Sequence, residues 1–253
     1  MAVLEIRDLS KYFVGLAAVL ELDLDVFDSE ILGLIGPNGA GKTTLFNVIC
    51  GFYPPSSGKV MFRGRNITGL KPHKIARRGI GRSFQASTLF MRSTVFDNVL
   101  TAYHINYRQP DWKAFLHTPS AIEEERIAGQ KVREVLEFTG LAPQKDKIAE
   151  NLSSGYQKAL AISIALATRP KLLLLDEPVT TLSPDKVEMI MELITKVRNE
   201  GTTVVIIEHN MKAIMDYCDR IVVLAYGRKI AEGLPREISQ NKQVIEAYLG
   251  AMD

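Results

Sequence analysis

A glycine-rich segment, Gly36-Pro-Asn-Gly-Ala-Gly-Lys-Thr43, constrains the possible folds of this chain more than any other part of its sequence. It follows an apolar run at residues 31–35, which predicts a buried strand, and precedes residues 44–50, which predict a helix ended by Gly51. A loop of this kind between a strand and a helix binds phosphate, because its backbone N–H groups and the positive end of the helix dipole face the anion. The sequence therefore predicts an α/β fold with a nucleoside triphosphate site.

The residues of this loop are the first candidate binding residues. Lys42 has the length to reach the β- and γ-phosphates, and the hydroxyl of Thr43 is placed to ligate Mg²⁺. We therefore expect ATP and Mg²⁺ as cofactors. The predicted nucleotide-binding residues of the loop are Gly36, Pro37, Asn38, Gly39, Ala40, Gly41, Lys42, Thr43 and Thr44.

Two acidic residues close a second apolar run. The sequence Leu172-Leu-Leu-Leu-Asp-Glu-Pro178 predicts a buried strand that ends in Asp176 and Glu177. In a parallel sheet, a carboxylate at the tip of such a strand lies beside the phosphate-binding loop. Asp176 can then hold Mg²⁺ through its water shell, and Glu177 can orient or deprotonate an attacking water molecule.

Hydrophobic patterning divides the chain into an α/β core and a helical lobe. Alternation of apolar and polar residues at 3–9 and 20–27 predicts an N-terminal antiparallel β layer. Short continuous apolar runs at 31–35, 172–175 and 204–207 are typical of parallel strands buried on both faces. We expect a single domain over residues 1–253, with residues 1–85 and 168–253 forming the core and residues 86–167 forming an inserted helical lobe. The predicted helices are 95–107, 121–138, 157–167 and 184–199, with a loop at 107–120 and, near the C-terminus, strands at 221–224 and 228–231 and a helix at 244–249.

Composition excludes several classes of function. A net charge of +2 over 253 residues gives no general attraction to nucleic acid, so none is expected as a partner. Cys50 and Cys218 have apolar or aromatic neighbours and no C-x-x-C partner, which predicts buried free thiols. The four histidines lack the spacing of a structural zinc site. No signal peptide or membrane-spanning run is visible, so a soluble chain that reaches a membrane only through partners is expected.

The two motifs together resemble the Walker A and Walker B elements of the ABC ATPase family. Asn151-Leu-Ser-Ser-Gly-Tyr-Gln157 is similar to the signature motif of that family, commonly Leu-Ser-Gly-Gly-Gln, from which Ser154 and Tyr156 depart. The resemblance implies that Ser153, Ser154 and Gly155 complete the ATP site of an opposing subunit. Ser153 also predicts an N-cap for the helix that follows, since serine is a favoured capping residue.

Further positions resemble functional residues of the family. Gln85 resembles the glutamine that touches Mg²⁺ or water and reports to the membrane domain, and His209 resembles the histidine that contacts the γ-phosphate. Phe13 fits the aromatic residue that stacks on adenine, although Tyr12 or a core aromatic would fit the same pattern. Ser183 stands where the family usually has an aspartate in the D-loop.

The sequences of several segments are similar to those of the ATPase subunits of branched-chain amino-acid importers. These segments are residues 51–58, 76–85, 118–120 and 244–250. The resemblance implies a peripheral protein on the cytoplasmic face of the inner membrane. Its implied partners are two multi-spanning permease subunits, a homologous second ATPase subunit and, indirectly, an external substrate-binding protein. We look for the partner surface at residues 86–91, and the sequence of this chain does not specify the cargo.

Other functions stay open at this point. The ATPase of a lipopolysaccharide-type exporter shares the segment Arg-Arg-Gly-Ile-Gly, and a urea or amide importer is a close relative. A soluble ABC ATPase acting on the ribosome or DNA is disfavoured by the single cassette with a short helical lobe. The altered signature and Ser183 suggest a fourth alternative, a nucleotide sensor without hydrolysis. Against it stand the intact Lys42, Asp176, Glu177 and His209.

Overall fold

The computed structural model of the protein describes residues 1–83, 89–107 and 118–249. Two β-sheets and the helices around them make up the described chain. The strands are β1 (Ala2–Phe13), β2 (Leu16–Phe27), β3 (Ile31–Ile35), β4 (Ser57–Phe62), β5 (Arg65–Asn66), β6 (Ile80–Ser83), β7 (Leu172–Asp176), β8 (Thr203–Ile207), β9 (Arg220–Ala225) and β10 (Arg228–Gly233). The helices are α1 (Lys42–Ile49), α2 (Pro72–Arg77), α3 (Val95–Tyr103), α4 (Pro119–Phe138), α5 (Ser154–Ala167), α6 (Pro184–Asn199), α7 (Met211–Tyr217), α8 (Pro235–Ser239) and α9 (Lys242–Leu249).

The larger sheet has six strands in the order β10-β9-β3-β8-β7-β6. All neighbours in it are parallel except β10, which pairs antiparallel with β9. Every residue of β3, β7 and β8 is buried. Ile31 and Ile35 enter the core that includes α3, α4 and α5, whereas Leu32 and Leu34 enter a second core with β1, β2 and α1. This two-sided burial explains the continuous apolar runs and confirms the predicted mostly parallel core.

The smaller sheet is antiparallel, in the order β2-β1-β4-β5. It confirms the predicted N-terminal antiparallel layer, and its first two strands are longer than the alternating pattern indicated. The pairing of β1 with β4 was not predicted.

Helix boundaries differ from the prediction at several places, three of them in the predicted helical lobe. The helix predicted over 95–107 ends at Tyr103 and continues as a 3₁₀ turn, His104–Asn106. Helix α4 begins at Pro119, inside the predicted loop, because proline is tolerated in the first turn of a helix. Helix α5 begins at Ser154 rather than at residue 157. Predicted loop residues 108–117 lie outside the described residues, and among those described no helix is long and apolar enough to span a membrane.

Candidate functional site

The phosphate-binding loop leaves β3 and enters α1 at Lys42. Gly36 and Gly41 have φ of +149° and +101°. A Cβ atom would lie 2.0 Å from the carbonyl oxygen of Leu224 at the first position and 2.2 Å from that of Ala18 at the second. The loop therefore requires glycine at both positions. Gly41 occupies the N-cap position of α1, and no described side chain caps that first turn, so the arrangement fits an anion that accepts from its N–H groups.

The ammonium group of Lys42 lies inside this loop. Its Nζ donates hydrogen bonds to the carbonyl oxygens of Gly36, at 2.7 Å, and Pro37, at 3.0 Å. Burial lowers the pKa of Lys42, while the nearby Glu177 and Asp176 carboxylates act to raise it. A buried cation held by carbonyl oxygens fits the phosphate groups of a nucleotide.

Two predicted catalytic residues lie at the carboxyl ends of neighbouring strands. Strands β7 and β8 pair in parallel up to Asp176 and Ile207, and the N–H of Glu177 donates to the Ile207 carbonyl at 2.9 Å. This register brings His209 Nε2 within 3.5 Å of Glu177 Oε1. Glu177 has φ of +51°, a left-handed conformation that is uncommon for a residue with a side chain and is often found at functional sites.

Asp176 forms a buried ion pair that the sequence analysis did not predict. Arg82 Nη2 lies 2.9 Å from Asp176 Oδ2, and Arg82 Nη1 donates to Asn47 Oδ1 of α1 at 2.6 Å. The guanidinium also lies over the rings of Phe46 and Phe52. In the segment Arg82-Ser-Phe-Gln85, the family resemblance assigns a role only to the glutamine. Gln85 itself lies outside the described residues, two positions after the end of β6.

Glu208 is a second buried charged residue that the sequence analysis missed. Its carboxylate accepts hydrogen bonds from the backbone N–H groups of Val179 at 2.7 Å, His209 at 2.9 Å and Asn210 at 3.2 Å. Nearby, Lys158 Nζ donates to the carbonyl oxygen of Glu177 at 2.7 Å. A glutamate directly after the apolar strand β8 was the available signal.

The three signature residues stand at the start of α5. Ser153 and Ser154 are exposed, and Gly155 is buried against Lys186 and Met189 of α6, where a Cβ atom would lie 3.2 Å from both side chains. Ser153 occupies the N-cap position, but the hydroxyl accepts no hydrogen bond from the first turn in the described chain. The prediction that this serine caps the helix is wrong in that respect. Ser153 is exposed, so a ligand from outside this chain can reach it.

Phe13 and Tyr12 end the first strand at the surface. Their exposed fractions, 37% and 44%, rule out the alternative that either is a core aromatic. The Phe13 ring meets Tyr53 edge-on, with centroids 5.2 Å apart, and Lys11 Nζ lies 5.0 Å from the Phe13 centroid. An exposed ring held from one side is a suitable surface on which a base can stack.

Both cysteines are buried free thiols, and the candidate metal ligands carry oxygen atoms. Cys50 and Cys218 are free and buried as predicted, and burial raises their thiol pKa values to about 11 and about 12. Among the described residues there is no group of three His, Cys, Asp or Glu side chains that could hold a metal ion. Thr43 and Asp176 supply oxygen donors of the kind Mg²⁺ prefers, and a phosphate-bound Mg²⁺ needs few protein ligands.

Comparison with known proteins identifies the family. The sequence profile described as ABC transporter matches residues 19–180, and one described as branched-chain amino acid ATP-binding cassette transporter matches residues 228–253. The chain is 40% identical over 248 residues to the high-affinity branched-chain amino acid transport ATP-binding protein LivG of Escherichia coli, covering 98% of this chain and 97% of LivG.

Solved structures agree with this match. The ADP conformation of an ATP-binding cassette of an ABC transporter superposes with a TM-score of 0.87 and 31% identity, covering 99% of both chains. A dimeric cassette in a post-hydrolysis state, bound to ADP and phosphate, gives a TM-score of 0.77 and 25% identity over 92% of this chain and 99% of that one. This chain is therefore a member of the ABC transporter ATP-binding family, a nucleotide-binding ATPase subunit with the ABC cassette fold.

Proposed function

We propose that this chain hydrolyses ATP to power an importer of branched-chain amino acids. The 40% identity to LivG, which extends over nearly the full length of both chains, carries the proposal. The aligned stretch runs from the β layer to the C-terminal segment. The separate match of residues 228–253 to the branched-chain transporter profile supports the same cargo class. These observations favour the branched-chain importer over an exporter or a urea or amide importer.

The proposed ATP site follows from the loop and strand ends. The loop residues 36–44 would hold the phosphates, with Lys42 as the cation, and Phe13 would stack on adenine. Mg²⁺ would be held by Thr43, Asp176 and Gln85, and it would neutralise phosphate charge. Glu177 would orient or deprotonate the attacking water, and its carboxylate lies within reach of His209, which we assign to the γ-phosphate.

We assign Ser153, Ser154 and Gly155 to the ATP site of an opposing subunit. Among the described residues, no hydrogen bond joins these three to the phosphate-binding loop of their own chain. The proposed partner is a homologous second ATPase subunit, identical or different, with two ATP molecules between the two. Binding ATP better in the closed pair than in the open one would drive closure, and hydrolysis would reopen it.

The ATP-binding subunits of ABC transporters act with membrane permeases. We propose two multi-spanning permeases for this chain, an external binding protein acting through them, and a position on the cytoplasmic face of the inner membrane. Phe90 and Met91, within the expected partner surface, expose 57% and 36% of their area, while Leu89 is buried. Residues 86–88 of that surface lie outside the described residues. We retain the division into a core, 1–85 and 168–253, and a lobe, 86–167, as a proposal.

The test is purification of the tagged chain from its native membranes, followed by ATPase assay of what it brings. We expect two permeases and a second ATPase subunit. The rate of hydrolysis should rise when the binding protein loaded with a branched-chain amino acid is added. The variant E177Q in the same complex should hydrolyse about 10²–10⁴-fold more slowly and still bind ATP, whereas the exposed matched change E246Q should behave as wild type.

Each outcome bears on a different part of the proposal. Unchanged hydrolysis by E177Q would remove the assigned role of Glu177. A complex stimulated by another cargo would correct the substrate, and the permeases of an exporter would reverse the direction of transport. Absence of any permease would leave the ATPase assignment intact and make the transport proposal wrong.

A further inference from the structure

We propose that Glu208 is a positioning residue that holds the loop carrying Glu177 and the loop carrying His209 in one fixed arrangement. The inference rests on the catalytic roles proposed above for Glu177 and His209. Glu208 itself is only 1% exposed, so its carboxylate lies almost entirely out of solvent. Its effect on hydrolysis would therefore be exerted through its two neighbouring loops.

The carboxylate joins segments that are 29 residues apart in the sequence. Oε1 accepts from the N–H of Val179, in the loop that follows β7. Oε2 accepts from the N–H groups of His209 and Asn210, in the loop that follows β8. A carboxylate offers only acceptors, so all three N–H donors can be satisfied at once, which an amide of the same shape cannot do.

Both loops are constrained where they bond to the Glu208 carboxylate; we call its three hydrogen bonds, from Val179, His209 and Asn210, the clamp. The chain at Glu177 has φ of +51°, and its N–H is bonded to the carbonyl of Ile207, directly before Glu208. On the other side, Asn210 Oδ1 accepts from the N–H of Ala213 and fixes the start of α7. Without the bond to Val179, the loop after Glu177 would be free to relax from its uncommon conformation. The 3.5 Å approach of His209 Nε2 to Glu177 Oε1 thus depends on the clamp.

Lys158 connects this clamped unit to the helix that follows the signature motif. Its Nζ donates to the carbonyl of Glu177 at 2.7 Å. Burial lowers the pKa of Lys158, and the carboxylates of Glu208, Glu177 and Asp176 act to raise it. Because Glu208 ties the two loops together, a displacement of α5 would move Glu177 and His209 as a pair. The clamp therefore preserves the catalytic geometry while the helical lobe moves.

The experiment compares E208Q and E208D with wild type and with E246Q in the purified ATPase complex. E208Q should lower kcat about 10–100-fold, the scale expected for misplaced catalytic groups, while the KM and the Kd for ATP stay at wild-type values. E208D keeps the charge with a shorter side chain, and its kcat should lie between those of wild type and E208Q. Adding E208Q to H209A should cost far less than the product of the two separate losses, because both changes damage one arrangement.

Several results would overturn the inference. A wild-type kcat for E208Q would do so, as would a double variant whose losses multiply. Equal losses in the amount of folded complex and in total activity, with kcat per folded complex unchanged, would make Glu208 a purely structural residue. If H209A and E177Q are also fully active, the proposed catalytic site itself is wrong. If both lose most of their activity and E208Q does not, only the role of Glu208 fails.

Discussion

The ion pair between Arg82 and Asp176 lies almost entirely out of solvent, with 8% and 9% of the two side chains exposed. Arg82→Met removes the charge at similar length and leaves the Asp176 carboxylate buried without its cation. Breaking a buried pair in this way costs about 3–5 kcal/mol of unfolding free energy. Urea denaturation of the isolated chain measures the difference. Arg92→Met, at an exposed position, is the matched control and should change stability by no more than about 0.5 kcal/mol.

A variant R82M as stable as wild type would contradict this account of the pair.

Arg82 and Glu208 also mark the limit of prediction at the residue scale. Each lies in the same short segment as a motif residue, Gln85 or His209, but a motif identifies residues only by their spacing within one segment. The partners of Arg82 and Glu208 come from α1, from the end of β7 and from the loop after β7. Only the folded sheet brings such groups together.

At the scale of elements, strands could be predicted where they lie in the centre of the sheet. β3, β7 and β8 are buried on both faces, and their uninterrupted apolar residues make them visible in the sequence. The edge strand β6 reads Ile-Gly-Arg-Ser and includes the glycine Gly81 and the charged Arg82, so its pattern resembles a loop. The phosphate-binding loop could be predicted for a different reason. Its chemistry and its backbone conformation require particular residues at consecutive positions.

Two glycines of the phosphate-binding loop distinguish the cost of a steric clash from the cost of a left-handed backbone. Gly39 and Gly41 both have positive φ, +78° and +101°, but a Cβ at Gly39 has nothing within 4 Å, whereas one at Gly41 would lie 2.2 Å from the Ala18 carbonyl oxygen. Gly39→Ala should cost about 1–2 kcal/mol of stability from the left-handed backbone alone. Gly41→Ala adds overpacking of about 1–3 kcal/mol and displaces the loop from β2. Thermal unfolding and ATP titration of both variants test this, and equal effects would show that the approach to Ala18 is unimportant.

At the scale of the whole molecule, the candidate residues fall into two separate sets. One set lies at the carboxyl ends of β3, β7 and β8, which are adjacent in one sheet: the phosphate-binding loop, Asp176, Glu177 and His209. The signature serines stand exposed at the start of α5. Under the proposed function the second set completes the site of an opposing subunit, so two subunits facing each other in opposite directions would complete both sites.

This arrangement leads to a prediction about size in solution. The chain has a mass of 28.1 kDa, and the variant E177Q, which should bind ATP without consuming it, should double that mass when ATP and Mg²⁺ are added. ADP should leave it monomeric, because in the proposed pair the third phosphate contributes to both surfaces. Light scattering during size-exclusion chromatography measures the mass. Adding Ser153→Arg should abolish doubling while each monomer still binds ATP, since the bulky cation would obstruct only the partner's site. If this double variant also fails to bind ATP, the signature serves its own chain and the opposed arrangement is wrong.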